Sequence, residues 1–193
     1  KSQILVRLLT RNKADEINEQ YFYTEIKKCW DYRKQLGYTE NCRLVFGEAD
    51  SMPQLIIDKF NDYFVLQTLS LGMDNWKPAI VDALNKIFKP KGIYERNDVP
   101  VRELEGLPQQ KGFLSTSFDT LITIKENGLN FFVDVENGQP LLVMGGGDSG
   151  QVDGAGTRSA VKAPDGLGQV RIHVHRLGAV APARSDAEGD ADV

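Results

Sequence analysis

Residues 43–58 read RLVFGEADSMPQLIID and predict a strand, a turn and a second strand. The first apolar run stops at Gly47, and residues 55–57 resume with leucine and isoleucine, which are common in strands. Asp50 and Pro53 lie between the two runs. They favour a turn, because a short polar side chain bonds nearby backbone and proline fixes φ.

Two amphipathic helices are predicted, one before and one after the strands at residues 43–69. Residues 15–36 repeat apolar side chains at helical spacing, with Phe22, Ile26 and Cys29 on one face. Residues 73–88 form the second helical pattern. Strands are predicted at residues 1–10, 63–69, 93–95, 120–124 and 129–135, and residues 96–112 are predicted to form an ordered loop.

Short turn signals join several of these strands. Asn61 and Asp62 separate two apolar runs, and Asn127-Gly128 is a strong hairpin signal because both residues accept positive φ. We therefore expect residues 121–125 to pair with residues 130–134. The pattern predicts an α+β fold with a mostly antiparallel sheet and two helices.

Bulk composition excludes several classes of protein. The 193 residues carry a formal net charge of −4, so the chain as a whole lacks the basic field of a nucleic-acid-binding domain. Cys29 and Cys42 are too few for a disulfide framework, which favours a cytoplasmic location. No apolar run approaches the ~18 residues that span a bilayer, so no membrane association is expected.

Three ordered blocks carry a family resemblance. They are residues 43–58, residues 92–102 (GIYERNDVPVR) with the EGL that follows at 105–107, and residues 126–139, which contain ENG, FVD and GQ. Together they resemble the PUA-containing class I S-adenosylmethionine (SAM)-dependent methyltransferases of large-subunit ribosomal RNA, the cytosine-C5 type. The resemblance covers residues 2–139.

The resemblance implies a domain organisation and a function. It makes residues 1–12 the last edge of a truncated PUA domain, an RNA-binding barrel, and residues 13–139 the central α+β domain. It implies ribosomal RNA as partner and SAM as cofactor of the parent enzyme. The open edge of the first strand also allows pairing with a second copy, as in a homodimer.

The composition changes after Gln139. Residues 140–193 hold ten of the 18 glycines and both histidines. The family continues with K-T-G after Gly-Gln, whereas Pro140 follows here. We interpret the chain as a fragment of the enzyme, inactive by itself and not expected to bind SAM, followed by an unrelated, poorly ordered tail.

No catalytic residue is assigned. Methyl transfer to cytosine C5 requires a cysteine thiolate that adds to C6. Cys29 lies on the apolar helix face and Cys42 precedes a strand, so both are predicted as core residues. The resemblance places the family's catalytic cysteine in a domain outside the matched region.

A glycine-rich segment offers an alternative cofactor site. Gly145, Gly147 and Gly150 fit G-x-G-x-x-G, and Asp165 follows at a suitable distance. A phosphate or cofactor loop also requires a helix that begins there, but residues 151–168 are rich in glycine and lack an apolar period. A flexible linker is the alternative interpretation.

Two further sets of residues are candidates for ligand binding, one for a metal ion and one for RNA phosphates. His173 and His175 share one face of a possible strand, either as metal ligands or as exposed polar residues, and no metal site is assigned. Arg96, Arg102 and Lys111 are candidates for RNA phosphate contacts. Acidic neighbours favour local ion pairs instead. Two other functions stay open: a non-catalytic RNA-binding or scaffold module, and a nucleotide-binding element in the tail.

Overall fold

The computed structural model describes residue 2, residues 4–126 and residues 129–142, which form a mixed α+β fold. The helices over these residues are α1 (Glu19–Gln35), α2 (Leu71–Asn75), α3 (Lys77–Phe88) and α4 (Val101–Leu104). The strands are β1 (Asn41–Phe46), β2 (Leu55–Phe60), β3 (Tyr63–Thr68), β4 (Gly92–Asn97), β5 (Gln110–Phe113), β6 (Leu121–Glu126), β7 (Leu129–Asp134) and β8 (Gln139–Leu142).

The strands form two sheets. The larger has the order β1-β2-β3-β4-β5, in which only β3 and β4 are parallel neighbours. The smaller has the order β6-β7-β8 and is antiparallel throughout. The predicted α+β class with mostly antiparallel strands is confirmed, and the division into two sheets is a new finding.

The opening stretch folds as the predicted strand, turn and strand. A 3-10 turn (Gly47–Asp50) follows β1, and the amide of Met52 donates to the carbonyl of Gly47 at 3.0 Å. Ser51 then takes a left-handed conformation with φ of 58°. A β-bulge interrupts β1 between Arg43 and Val45.

A parallel crossover joins β3 to β4 through the helical segment. One helix was predicted over residues 73–88, but the structure contains α2 and α3 with Trp76 between them. Pro78 explains the break, because it has no amide hydrogen to donate to the carbonyl four residues earlier. It is tolerated in the first turn of α3.

Two apolar cores separate three layers of structure. One core packs α1 and α3 on the large sheet, with Phe22, Leu66 and Ile80 fully buried. The other includes Val65 of β3 and Val133 of β7, on the small sheet. β3 is therefore buried on both faces, in agreement with its nearly continuous apolar run.

α1 follows its predicted pattern with a later start. Asn18 caps the helix by accepting from the amide of Tyr21 at 3.0 Å, so the helix begins at Glu19 rather than at residue 15. Phe22, Ile26 and Cys29 are buried on one face as predicted.

The predicted strand over residues 1–10 is not present. Residues 4–10 have no strand assignment, because no neighbouring strand pairs with them. The Tyr21 hydroxyl donates to the carbonyl of Leu9 at 2.8 Å, and Arg7 pairs with Glu105 at 2.9 Å. These contacts hold residues 4–10 against α1 and against Glu105, which follows α4.

Other predictions have mixed outcomes. Residues 121–125 pair with residues 130–134 in the expected register. The predicted loop over residues 96–112 instead contains α4 and the start of β5, which are too short to produce a readable period. The Asn127-Gly128 turn and residues 143–193, including the glycine-rich loop and both histidines, lie outside the described residues.

Candidate functional site

Polar side chains collect at the carboxyl ends of β3 and β4. Thr68 ends β3 and Asn97 ends β4, and both are fully buried. In sheets that contain parallel strands, this end commonly carries functional groups. We call the following six residues the polar cluster: Thr68, Asp74, Lys77, Glu95, Asn97 and Arg102.

Asp74 accepts three side-chain hydrogen bonds at the first residues of the crossover. The Thr68 hydroxyl donates to its Oδ1 at 2.6 Å. The same oxygen accepts from Arg102 Nη1 at 2.9 Å and from Lys77 Nζ at 3.0 Å. One carboxylate oxygen thus joins β3, α3 and α4.

Glu95 is the second carboxylate of the polar cluster. Lys77 Nζ and Asn97 Nδ2 both donate to its Oε1. Gln110 Nε2 donates to its two oxygens at 3.0 and 3.1 Å. Lys77 therefore bridges the two carboxylates, and the cluster extends onto β5.

Arg102 lies at the inner end of the cluster, with no exposed surface. Its Nε donates to the carbonyl of Pro108 at 3.0 Å, and its Nη1 donates to the carbonyl of Thr68 as well as to Asp74. Nη2 has no partner, the one such buried side-chain atom in the described part of the chain. These bonds hold residues 98–109 against the crossover.

The charges of the cluster balance within it. Burial alone would raise the pKa of Asp74, but hydrogen bonds from Thr68, Arg102 and Lys77 outweigh it and hold that pKa below its ordinary value. Two anions and two cations neutralise one another. The arrangement suits a rigid internal support rather than proton transfer, because each carboxylate is already engaged by several donors.

The predicted RNA-binding residues divide into two groups. Arg96 and Lys111 are direct cross-strand neighbours in the β4–β5 pairing. Arg96 Nε lies 3.8 Å from Asp98, and Lys111 Nζ lies 3.7 Å from Glu136. Both pairs are long. The Arg96 side chain is 29% exposed and the Lys111 side chain 36%, so each cation is partly accessible to a phosphate.

Arg102, the third predicted residue, lies apart from this pair. Its guanidinium is inside the polar cluster, so a phosphate at the surface cannot reach it without breaking the bond to Asp74. The alternative interpretation of local ion pairing agrees with this contact. The acidic partner is Asp74 of α2, not one of the neighbouring acidic residues.

Both cysteines have raised pKa values because of burial. Burial raises the pKa of the Cys29 thiol to about 12, and burial also raises the pKa of the half-buried Cys42. A thiol in this state is a poor nucleophile at neutral pH. The contacts of Cys29 are those of a core residue, as predicted.

Two further properties of the same residues bear on metal and membrane binding. Within the described ranges, no group of three or more His, Cys, Asp and Glu side chains is arranged to hold a metal ion. None of the helices there has the length and apolar character to cross a bilayer.

The polar cluster was not predicted from the sequence. The bond between Asp74 and Arg102 joins residues 28 positions apart. One signal was present: Glu95 and Asn97 interrupt a short apolar strand, and a polar residue in a buried strand requires a partner.

Comparison with known proteins identifies relatives over most of the chain, although no family model matches. Ribosomal RNA large subunit methyltransferase I from Photobacterium profundum is 37% identical over 141 residues, which cover 71% of this chain and 36% of that protein. The protein of the same name from Yersinia pseudotuberculosis is 35% identical over the same shares. The chain therefore spans about a third of the length of these curated relatives.

Solved structures share the fold at lower identity. A protein from Streptococcus mutans, titled as a candidate SAM-dependent methyltransferase, aligns with a TM-score of 0.53 and 21% identity over 68% of this chain and 33% of its own. A candidate methyltransferase complexed with SAH aligns with a TM-score of 0.54 and 21% identity over 67% and 33%.

Proposed function

We propose that this chain is the central part of an enzyme that methylates large-subunit ribosomal RNA. The reason is that the chain is related over 141 residues to ribosomal RNA large subunit methyltransferase I. The methyl donor of the whole enzyme is SAM, and the methylated atom is C5 of a cytosine. The described residues position RNA and the catalytic part.

The sequence relationship is the observation that carries this proposal. It extends over 71% of the chain at 37% identity. The α+β fold supports it, because solved structures titled as methyltransferases share that fold over about two thirds of the chain.

Within this proposal the matched region contributes support and RNA contacts, not chemistry. The polar cluster fixes residues 98–109, while the adjacent Arg96 and Lys111 contact RNA phosphates. Residues 1–12 form the edge of a preceding RNA-binding domain, which gives Ile4, Leu5 and Val6 a covering partner. The parent enzyme acts in the cytoplasm, where ribosomal RNA is made in bacteria.

A chimaera tests the proposed function directly. The matched 141 residues of the Photobacterium relative are replaced by those of this chain, and methyl transfer from radiolabelled SAM to unmodified large-subunit ribosomal RNA is measured. We expect 5-methylcytosine in the digested RNA. A folded chimaera that modifies no RNA contradicts the proposal. A chimaera that methylates another atom contradicts the cytosine-C5 assignment.

The chain alone provides the complementary test. Calorimetric titration with SAM at protein concentrations of order 100 μM is expected to show no saturation, and no methyl transfer is expected without the rest of the enzyme. Gly147→Val is the matched control. Saturable binding that this substitution abolishes would assign a cofactor loop to Gly145, Gly147 and Gly150.

A further inference from the structure

Three exposed aromatic side chains lie beside two arginines on α1, the segment after it, and β1. Tyr32, Tyr38 and Phe46 are 52%, 49% and 50% exposed. The arginines are Arg33 and Arg43. We call these five residues the aromatic–arginine surface.

Direct contacts make the surface continuous. Cζ of Arg33 lies 5.4 Å from the ring centroid of Tyr32, and Cζ of Arg43 lies 5.1 Å from that of Phe46. Arg33 Nε donates to the carbonyl of Arg43 at 2.8 Å, and the amide of Tyr38 donates to the carbonyl of Arg33 at 3.0 Å. A guanidinium group therefore lies over each of the two rings, and a hydrogen bond joins the two arginines.

The bulge in β1 places Phe46 on this surface. In a regular strand, residues three positions apart point to opposite faces. Here the bulge between Arg43 and Val45 leaves Leu44 and Val45 both buried, with Arg43 and Phe46 both exposed. Bulges commonly re-aim a side chain in this way. A large apolar ring is thus turned outward.

The charges of the two arginines are neutralised by aspartates beside the surface. Arg43 makes two bonds to Asp58, at 2.9 and 3.2 Å, and Arg33 bonds Asp50 at 2.6 Å. The carboxylates occupy the guanidinium edges. The Arg33 side chain is only 14% exposed, whereas that of Arg43 is 47% exposed. What remains available to a partner is therefore the exposed rings and the guanidinium of Arg43, which suit stacking better than phosphate binding.

We propose that the aromatic–arginine surface binds single-stranded RNA by stacking bases on Phe46 and Tyr32 and on the exposed guanidinium of Arg43. Aromatic rings and arginine planes are the side chains on which unpaired RNA bases stack. The choice of RNA rests on the proposed function. A protein partner would instead fit the exposed aliphatic residues Ile4, Leu5 and Val6, which have no stacked cation.

The test measures binding of a fluorescein-labelled, mixed-sequence 12-nucleotide RNA to the full chain by fluorescence anisotropy. Phe46→Ala is expected to weaken binding by about tenfold, the loss of one stacked base. Phe46→Trp retains binding, because it keeps a stacking face. Leu104→Ala removes a similarly exposed apolar side chain outside the surface and should leave affinity unchanged. Circular dichroism confirms that each variant is folded, and Tyr32→Ala provides a second, independent variant.

Salt and strandedness separate stacking from phosphate contact. Phe46→Ala should change affinity equally at all salt concentrations, whereas Arg96→Ala or Lys111→Ala should lower the salt slope by about one. A duplex of the same sequence should bind more weakly than the single strand, because its bases are already stacked.

The inference is overturned by unchanged RNA affinity in both Phe46→Ala and Tyr32→Ala. It is also overturned by a wild-type chain that prefers the duplex or does not bind. The first would favour a protein contact at this surface. Anisotropy needs no methyl transfer, so it decides this inference even if the chimaera is inactive. The converse result is an active chimaera whose KM for RNA is unchanged by Phe46→Ala. That result supports the proposed function and contradicts RNA binding at this surface.

Discussion

Arg102 and Arg43 each bond an aspartate, but one lies in the polar cluster and the other on the aromatic–arginine surface. Arg102 has no exposed surface and lies 2.9 Å from Asp74. The Arg43 side chain is 47% exposed and makes a two-bonded pair with Asp58. By the number of hydrogen bonds between the two side chains, the Arg43–Asp58 pair would be ranked as the stronger ion pair.

Burial reverses that ranking for stability. Water replaces the lost partner of an exposed charge, whereas a buried charge that loses its partner stays uncompensated. The comparison teaches that an ion pair in this protein contributes to folding according to its depth. The exposed guanidinium remains free to serve recognition.

The largest expected effect comes from removing the buried arginine. Arg102→Ala removes one of the two cations that bond Asp74 and opens the bonds to Thr68 and Pro108. We expect the free energy of unfolding in urea, followed by circular dichroism, to fall by about 3 to 5 kcal/mol. Arg102→Lys should also destabilise, because lysine lacks the forked geometry. A loss under about 1 kcal/mol would abolish the distinction between the two arginines.

Neutralising the acidic partner should give a smaller, pH-dependent loss. Asp74→Asn is expected to cost about 1.5 to 3 kcal/mol at pH 7, the range for hydrogen bonds to a charged group. The pKa of Asp74 is held low in the folded protein, so its contribution is complete above the unfolded pKa near 4 and is lost as pH falls through the folded pKa. The difference between wild type and variant should therefore shrink below about pH 4. A constant difference from pH 7 to pH 3 contradicts the low pKa.

A packing substitution on β4 separates charge effects from steric effects. A Cβ added at Gly92 would lie 2.1 Å from Cδ1 of Phe118, so Gly92→Ala should displace that ring. We expect a loss of about 1 to 3 kcal/mol, the usual result of overpacking. Unlike the loss from Asp74→Asn, it should not diminish below pH 4. Gly72→Ala is the control, because a Cβ there meets no atom within 4 Å.

The smallest effect is expected at the exposed arginine. Arg43→Ala removes a surface ion pair and a stack on Phe46, together about 1 kcal/mol or less. Salt at 1 M should reduce the difference further, because exposed charges are screened. Melting temperatures with and without salt measure it. A loss as large as that of Arg102→Ala would show that depth is not the deciding factor.

Local patterns were enough to predict much of the fold. The register of residues 121–125 against residues 130–134, the buried face of α1 and the turn at Asn61-Asp62 all depend on residues close in sequence. Helix and strand periods and turn chemistry express these short-range preferences directly.

The features that depend on distant residues were not predictable in the same way. The bond between Arg102 and the Thr68 carbonyl joins positions 34 apart, and neither residue signals the other. The bulge at Arg43 and Val45 changes the face of Phe46 without leaving any mark in the apolar pattern. Arg102 consequently resembled a surface cation in the sequence, and Phe46 resembled a core residue.

The bulge also affects how copies of the protein behave when crowded together. β1 lies at one end of the five-stranded order, where an unprotected strand offers evenly spaced backbone groups to a second molecule. The bulge disrupts that spacing, and the charged Arg43 adds a group that an intermolecular sheet would have to desolvate. β1 is therefore a poor template for edge-to-edge aggregation, and the distortion that turns an aromatic ring toward solvent also helps the chain remain dispersed.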